Sequence, residues 1–155
     1  MTNFNTALKK GELGERIIRE RLEEKGWIVY FPFTKDKPHY FDMLATKEKE
    51  KVIAIDVKTK ARLNITPAQG IDKKQYDQYI RFAKSMNVPF WIVFVDEMTG
   101  DVHTAELMKL ENPISIRDGK IIAWRTDDMK KIMELTDSQK ELLQSYNQRN
   151  YEFQN

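Results

Sequence analysis

The chain contains no cysteine and only two histidines among its 155 residues. Without cysteine there can be neither disulfides nor a zinc–thiolate site, and two histidines alone cannot complete a zinc finger. No apolar run approaches the ~20 residues that a membrane span requires. The opening Met1-Thr2-Asn3-Phe4-Asn5 also lacks signal-peptide character. A cytoplasmic protein without a membrane partner is therefore expected. A large charge of one sign is missing too: 26 Lys and Arg against 24 Asp and Glu leave +2, too little to mark a nucleic-acid binder by net charge. No internal repeat or low-complexity tract is present.

What remains is 41% hydrophobic and 32% charged, a globular composition, and the length suits one domain spanning residues 1–155. Charge is uneven locally. Lysines and arginines cluster at 35–37, 58–62 and 73–84, while acids gather in the first helix and towards the C-terminus. A basic neighbourhood around an acidic site suits a polyanionic substrate, although a solvated charged surface gives the same pattern.

Leu13, Ile17, Ile18 and Leu22 recur at helical spacing, so a helix is expected from about Thr6 to Lys25, closed by Gly26. At roughly 100° per residue, Glu15 sits about 20° from Leu22, at the margin of that stripe, whereas Glu12 and Glu23 turn to water. Glu15 can therefore reach an adjoining cleft. Trp27–Phe31 reads as a strand stopped by Pro32, and Tyr40–Thr46 as a second. The latter sets Asp42 among Phe41, Met43 and Leu44, where an unpaired carboxylate would carry a desolvation cost.

A third strand, Lys51–Lys60, ends in Asp56-Val57-Lys58. An acid two places before a lysine occurs at Glu23, Asp56, Asp72, Asp118 and Asp128, but only the Asp56 copy lies on an apolar, β-branched run. The pleat puts Ile53, Ile55 and Val57 on one face and Ala54, Asp56 and Lys58 on the other. A carboxylate and an ammonium thus emerge together, about 6–7 Å apart along the strand. By itself this pair could be a cross-strand ion pair or part of a solvated face. The link Lys47-Glu48-Lys49-Glu50 is short enough for a hairpin, which would make Asp42 and Asp56 neighbours.

After a loop with Pro67 and Gly70, a helix is expected over about Ile71–Met86, burying Tyr76, Tyr79, Ile80 and Ala83. Phe90–Val95 reads as a central strand buried on both faces. Beyond Glu97 come a short strand to Ala105, a hairpin around Asp118-Gly119 and a short helical piece at Thr126-Asp127. A last helix, capped by Thr136 and Gln139, completes the chain and is expected to lie on the sheet edge or on another subunit. The three tryptophans, in apolar contexts, are assigned to packing.

The order helix, three strands, helix, strand, with Glu15, Asp42 and Asp56-Val57-Lys58 at these places, resembles the PD-(D/E)XK nuclease superfamily. Lys10-Gly11-Glu12-Leu13-Gly14-Glu15-Arg16 and Leu22-Glu23-Glu24-Lys25-Gly26-Trp27 look most like archaeal-type Holliday junction resolvases and their phage and bacterial relatives. The literal "PD" is absent, since Phe41 precedes Asp42. The resemblance implies a restriction-endonuclease-like α/β fold: an αβββαβ core with a mixed central sheet over about 8–96, and C-terminal hairpins and a terminal helix over about 97–155. It implies Asp42 and Asp56 as ligands of Mg²⁺, or Mn²⁺ in its place, helped by the Val57 carbonyl and Glu15. Lys58 becomes a catalytic cation rather than the structural ion-pair partner of Asp56, and Gln75 a site residue from the second helix. Lys35, Lys37, Lys60, Arg62, Lys73 and Lys74 would hold the DNA backbone, while His39 is read as a loop residue. The implied activity is endonucleolytic hydrolysis of DNA, branched DNA preferred, and two symmetric cuts imply a homodimer. The alternative is an inactive nuclease-fold module that binds nucleic acid or a protein partner.

Overall fold

The structure is a computed structural model and describes residues 4–32, 40–63 and 66–152. Helix α1 (Phe4–Glu24) leads into strands β1 (Ile28–Tyr30), β2 (Met43–Thr46) and β3 (Ile53–Lys60). Strand β4 (Ala68–Asp72) runs directly into helix α2 (Lys73–Met86), and β5 (Phe90–Asp96) and β6 (Asp101–Glu106) follow. A hairpin of β7 (Ile114–Ile116) and β8 (Ile121–Arg125), strand β9 (Lys130–Glu134) and helix α3 (Asp137–Glu152) complete the chain.

Six strands form one mixed sheet in the order β1-β2-β3-β5-β6-β9; β3 and β5 are parallel and the other pairs antiparallel. The β4–α2 segment is the crossover joining the parallel pair. On one sheet face, Leu13, Ile17 and Ile18 of α1 pack with Ile55, Val57, Val93, Val95 and Leu143. On the other, Ala54, Phe90, Ile92 and Phe94 meet Tyr79 and Ala83 of α2 and Ile71 and Trp124 of a second sheet, β4-β8-β7. The alternation along β3 is thus the expected one. Strand β5 lies between β3 and β6, as a run buried on both faces should.

Several details differ from expectation. Strand β2 begins at Met43, so Asp42 stands just ahead of it rather than inside it. Strand β4 occupies what reads as a loop, because its middle residue is Gly70. A Cβ there would stand 2.8 Å from both the Ala123 Cβ and the Ile122 carbonyl, so glycine marks a close strand approach rather than a turn. The segment after Thr126 is a single 3-10 turn followed by β9, the sixth strand of the main sheet. Helix α3 packs against α1 within this chain, with Leu143 wholly buried, a contribution of roughly 2 kcal/mol. Its capping box forms: Thr136 N–H donates to Gln139 Oε1 at 2.9 Å and Gln139 N–H to Thr136 Oγ1 at 3.2 Å. Among the described residues, no helix is long and apolar enough to cross a membrane.

Candidate active site

The hairpin sets the site. Met43 pairs with Ile55, and one step further along the same register Asp42 stands opposite Asp56. The Asp42 N–H donates to the Ile55 carbonyl at 3.0 Å, and the Val57 N–H donates to Asp42 Oδ2 at 2.7 Å. Asp42 is therefore held by backbone on both sides of Asp56. Glu15 arrives from α1, which lies close to β3 because residue 14 is glycine. A Cβ on Gly14 would fall 1.9 Å from Thr59 Oγ1 and 3.2 Å from Thr59 Cβ, so a larger residue would have to displace Thr59 or the helix. Glu15 is half-buried at the edge of the apolar stripe, and Glu12 and Glu23 are exposed, as the helical angles require.

The three carboxylates perturb one another. Burial, then the charge of Glu15, pushes the Asp42 carboxyl up to about 6. Burial, then the charge of Asp42, pushes Asp56 up to about 7, against the opposing pull of Lys58. Glu15 is raised as well, chiefly by burial. The cation nearest Asp56 is Lys58, whose Nζ lies 3.2 Å from Asp56 Oδ2. The contact lacks hydrogen-bond geometry, and Asp56 Oδ2 is a buried oxygen without a hydrogen-bond partner. Thus Lys58 stands as the ion-pair partner of Asp56, contrary to expectation. Excess negative charge explains the pairing: with three carboxylates converging, the nearest ammonium is drawn to the most buried of them.

These residues fit a divalent cation. The donors are hard carboxylate oxygens, the negative charge is under-compensated, and one buried oxygen is orphaned. Among the described residues, no group of three or more His, Cys, Asp and Glu side chains is placed to hold a metal ion. Magnesium does not need one, since it keeps several waters and binds through one or two carboxylates. Asp42 and Asp56 would hold it, with the Val57 carbonyl and Glu15 as further oxygen donors.

The other expected site residues divide. Gln75 is half-buried in the first turn of α2, and among the described residues its side chain makes no hydrogen bond to the carboxylates. The helix offers Tyr79 instead, one turn further on, whose ring centre lies 5.7 Å from Lys58 Nζ. Tyr79 reads in the sequence as part of the apolar stripe.

Lys60 does not extend to a DNA surface. Its ammonium donates to the Gly70 carbonyl and lies 5.9 Å from the Phe94 ring centre, and burial lowers it to about 8. The unexpected β4 supplies that carbonyl and so turns Lys60 inward. Arg62 stays at the surface with Nε 3.7 Å from Asp96 Oδ2. Lys73 and Lys74 are exposed at the start of α2, and Lys73 pairs with Asp77. Lys35, Lys37 and His39 lie outside the described residues.

The chain is similar in structure to Hjc, a Holliday junction resolvase from the archaeal hyperthermophile Archaeoglobus fulgidus, with a TM-score of 0.56 at 17% identity over 76% of this chain and 90% of that one. The two chains share a fold. A bacterial homing endonuclease is similar over 97% of this chain and 99% of its own, at 13% identity and a TM-score of 0.48. No protein-family model and no curated protein matches the sequence.

Proposed function

We propose that this chain is a Mg²⁺-dependent DNA endonuclease that recognises DNA structure rather than sequence, with branched DNA as its preferred substrate. The observation that carries the reading is the register-locked pair Asp42 and Asp56, buried beside Glu15, with an unpartnered Asp56 oxygen and Lys58 paired to Asp56. A structural ion pair requires no such surplus of carboxylates, and a module that only bound DNA would be weakened by it, because it repels phosphate.

When bound, Mg²⁺ or Mn²⁺ would polarise the phosphoryl oxygen and make a coordinated water more acidic. Asp42 and Asp56 provide the charge that retains the cation, and the Val57 N–H fixes the angle of Asp42. Glu15, with its carboxyl raised by burial, is placed to accept a proton from water at the cleft edge. Lys58 offsets negative charge developing on the phosphate once it turns from Asp56. Arg62, Lys73 and Lys74 offer phosphate contacts that position without reading bases. Cutting a four-way junction symmetrically needs two such sites, hence a pair of chains.

Incubation with Mg²⁺ and labelled junction, flap, duplex and single-stranded DNA tests the reading. Metal-dependent cleavage, strongest on the junction and abolished by Asp56→Ala, is expected. No cleavage of any substrate, or cleavage that survives Asp56→Ala, overturns it.

A further inference from the structure

We infer that Tyr40 and Tyr30 form a stacking platform on either side of Asp42 for DNA bases that have left the duplex, as at a branch point. On the nuclease reading, on which this rests, the platform names what the site takes: a strand whose bases are unpaired beside the phosphate to be cut. Both tyrosines are largely in water, Tyr40 at 60% and Tyr30 at 64% exposure. They bracket Asp42 along the strand. Tyr40 stands two residues before it, and Tyr30 pairs in register with Leu44, two residues after it. Each two-residue step is about 6–7 Å of extended chain, a step of the size that separates neighbouring nucleotides in an unstacked strand.

Both rings stand on the sheet face that carries Asp56 and Lys58. Val29 packs into the cluster under α1, so the pleat turns Tyr30 to the opposite face. Tyr40 reaches α2 on that same face, where its ring lies nearly parallel to Phe82, with planes 16° apart and centres 6.0 Å apart. Phe82 in turn meets Phe41 at 4.9 Å and the wholly buried Phe90 edge-on at 6.3 Å. Tyr40 is thus anchored to the core on one side and open on the other. A ring already held by packing loses little freedom when a base stacks on it, and every base has a π-face to offer. Arg81 and Lys84, flanking Phe82 in α2, are exposed and add positive charge for the phosphates of the same strand. None of the three tryptophans is exposed, which leaves this task to the tyrosines.

Fluorescence anisotropy with labelled single-stranded and duplex oligonucleotides, in EDTA and at low salt, reads binding without cleavage. Tyr40→Ala should weaken single-strand binding about tenfold and leave duplex binding unchanged, with a similar loss in Tyr30→Ala. Tyr40→Phe should bind as wild type does, because the ring stacks and the hydroxyl does not. On a strand of abasic residues, wild type and Tyr40→Ala should bind alike. Circular dichroism checks that each variant is folded. Equal losses on single strand and duplex, no loss in Tyr40→Ala, a loss that persists on the abasic strand, or a wild type that binds no single strand each overturn the platform. A protein that binds single strands through Tyr40 but cuts no DNA with Mg²⁺ defeats the nuclease reading alone. One that cuts while Tyr40→Ala binds paired and unpaired DNA as wild type does defeats the platform alone.

Discussion

Two buried ionic clusters lie five residues apart on α1 and differ in kind. In one, Lys10 Nζ donates to Glu97 Oε2 at 2.7 Å and to Asn147 Oδ1 at 3.0 Å, tying α1 to the end of β5 and to α3. One cation meets one anion, and a neutral amide takes a further proton of the ammonium. In the other, Glu15, Asp42 and Asp56 crowd one another, among the described residues only Asp56 has an ion-pair partner, Lys58, two of the carboxyls are pushed up to about 6 and 7, and a buried oxygen has no partner. Both Asp56 and Lys10 are nearly inaccessible, at 4% and 8% exposure, so burial does not separate the clusters. Charge balance does. A balanced buried pair secures the fold, whereas an unbalanced one retains a demand for positive charge that a cation can meet.

The strongest way to break this contrast is to empty each cluster in turn. Asp56→Ala should lower DNA cleavage by roughly 10³-fold or more, measured under single-turnover conditions, with the fold retained by circular dichroism. Lys10→Met should leave cleavage chemistry intact in whatever protein folds and cost about 3 kcal/mol of stability in urea denaturation, because Glu97 stays buried without its partner. If Asp56→Asn proves equally destabilising, the two clusters are alike and the distinction fails.

A subtler effect should appear with pH. The Asp42 and Asp56 carboxyls are raised in the folded chain above their ordinary value of 3.8, so the folded protein keeps protons that the unfolded chain has already released. The resulting penalty is absent below that value, grows as pH rises through about 6 and 7, and is constant above. Without metal, the protein should therefore be more stable at pH 5 than at pH 8, by on the order of 1–2 kcal/mol. Asp56→Asn should flatten the slope, and Mg²⁺ should offset it at pH 8. Stability that rises with pH over this range in the metal-free protein would contradict the proposed charge surplus.

The smallest expected effect sharpens the balanced side. Asn147→Ala removes a neutral acceptor from Lys10 while Glu97 remains, and should cost about 1 kcal/mol in the same urea measurement.

How far the sequence discloses this arrangement depends on whether local pattern and tertiary demand coincide. Asp56-Val57-Lys58 is legible because the pleat of an apolar run decides its faces, and Asp42 because a carboxylate among Phe41, Met43 and Leu44 needs a reason. Glu15 follows from helical angle alone. Strand β4 is hidden because Gly70 reads as loop; what requires it is the approach of Ala123 and Ile122, more than fifty residues away in the chain. That omission also conceals why Lys60 turns inward. Strand β9 is hidden because Lys130 and Lys131 open it and only its pairing with β6 makes it a strand. Tyr79 is hidden because an aromatic on a buried helical stripe looks like packing until a lysine is found over its ring.

Calorimetric titration of Mn²⁺ into the wild-type chain and into Asp42→Asn and Asp56→Asn tests the central claim most directly. The account predicts saturable binding to wild type that is lost, or weakened at least tenfold, in each variant. Unaltered binding in the variants, or no binding to the wild type, would contradict it.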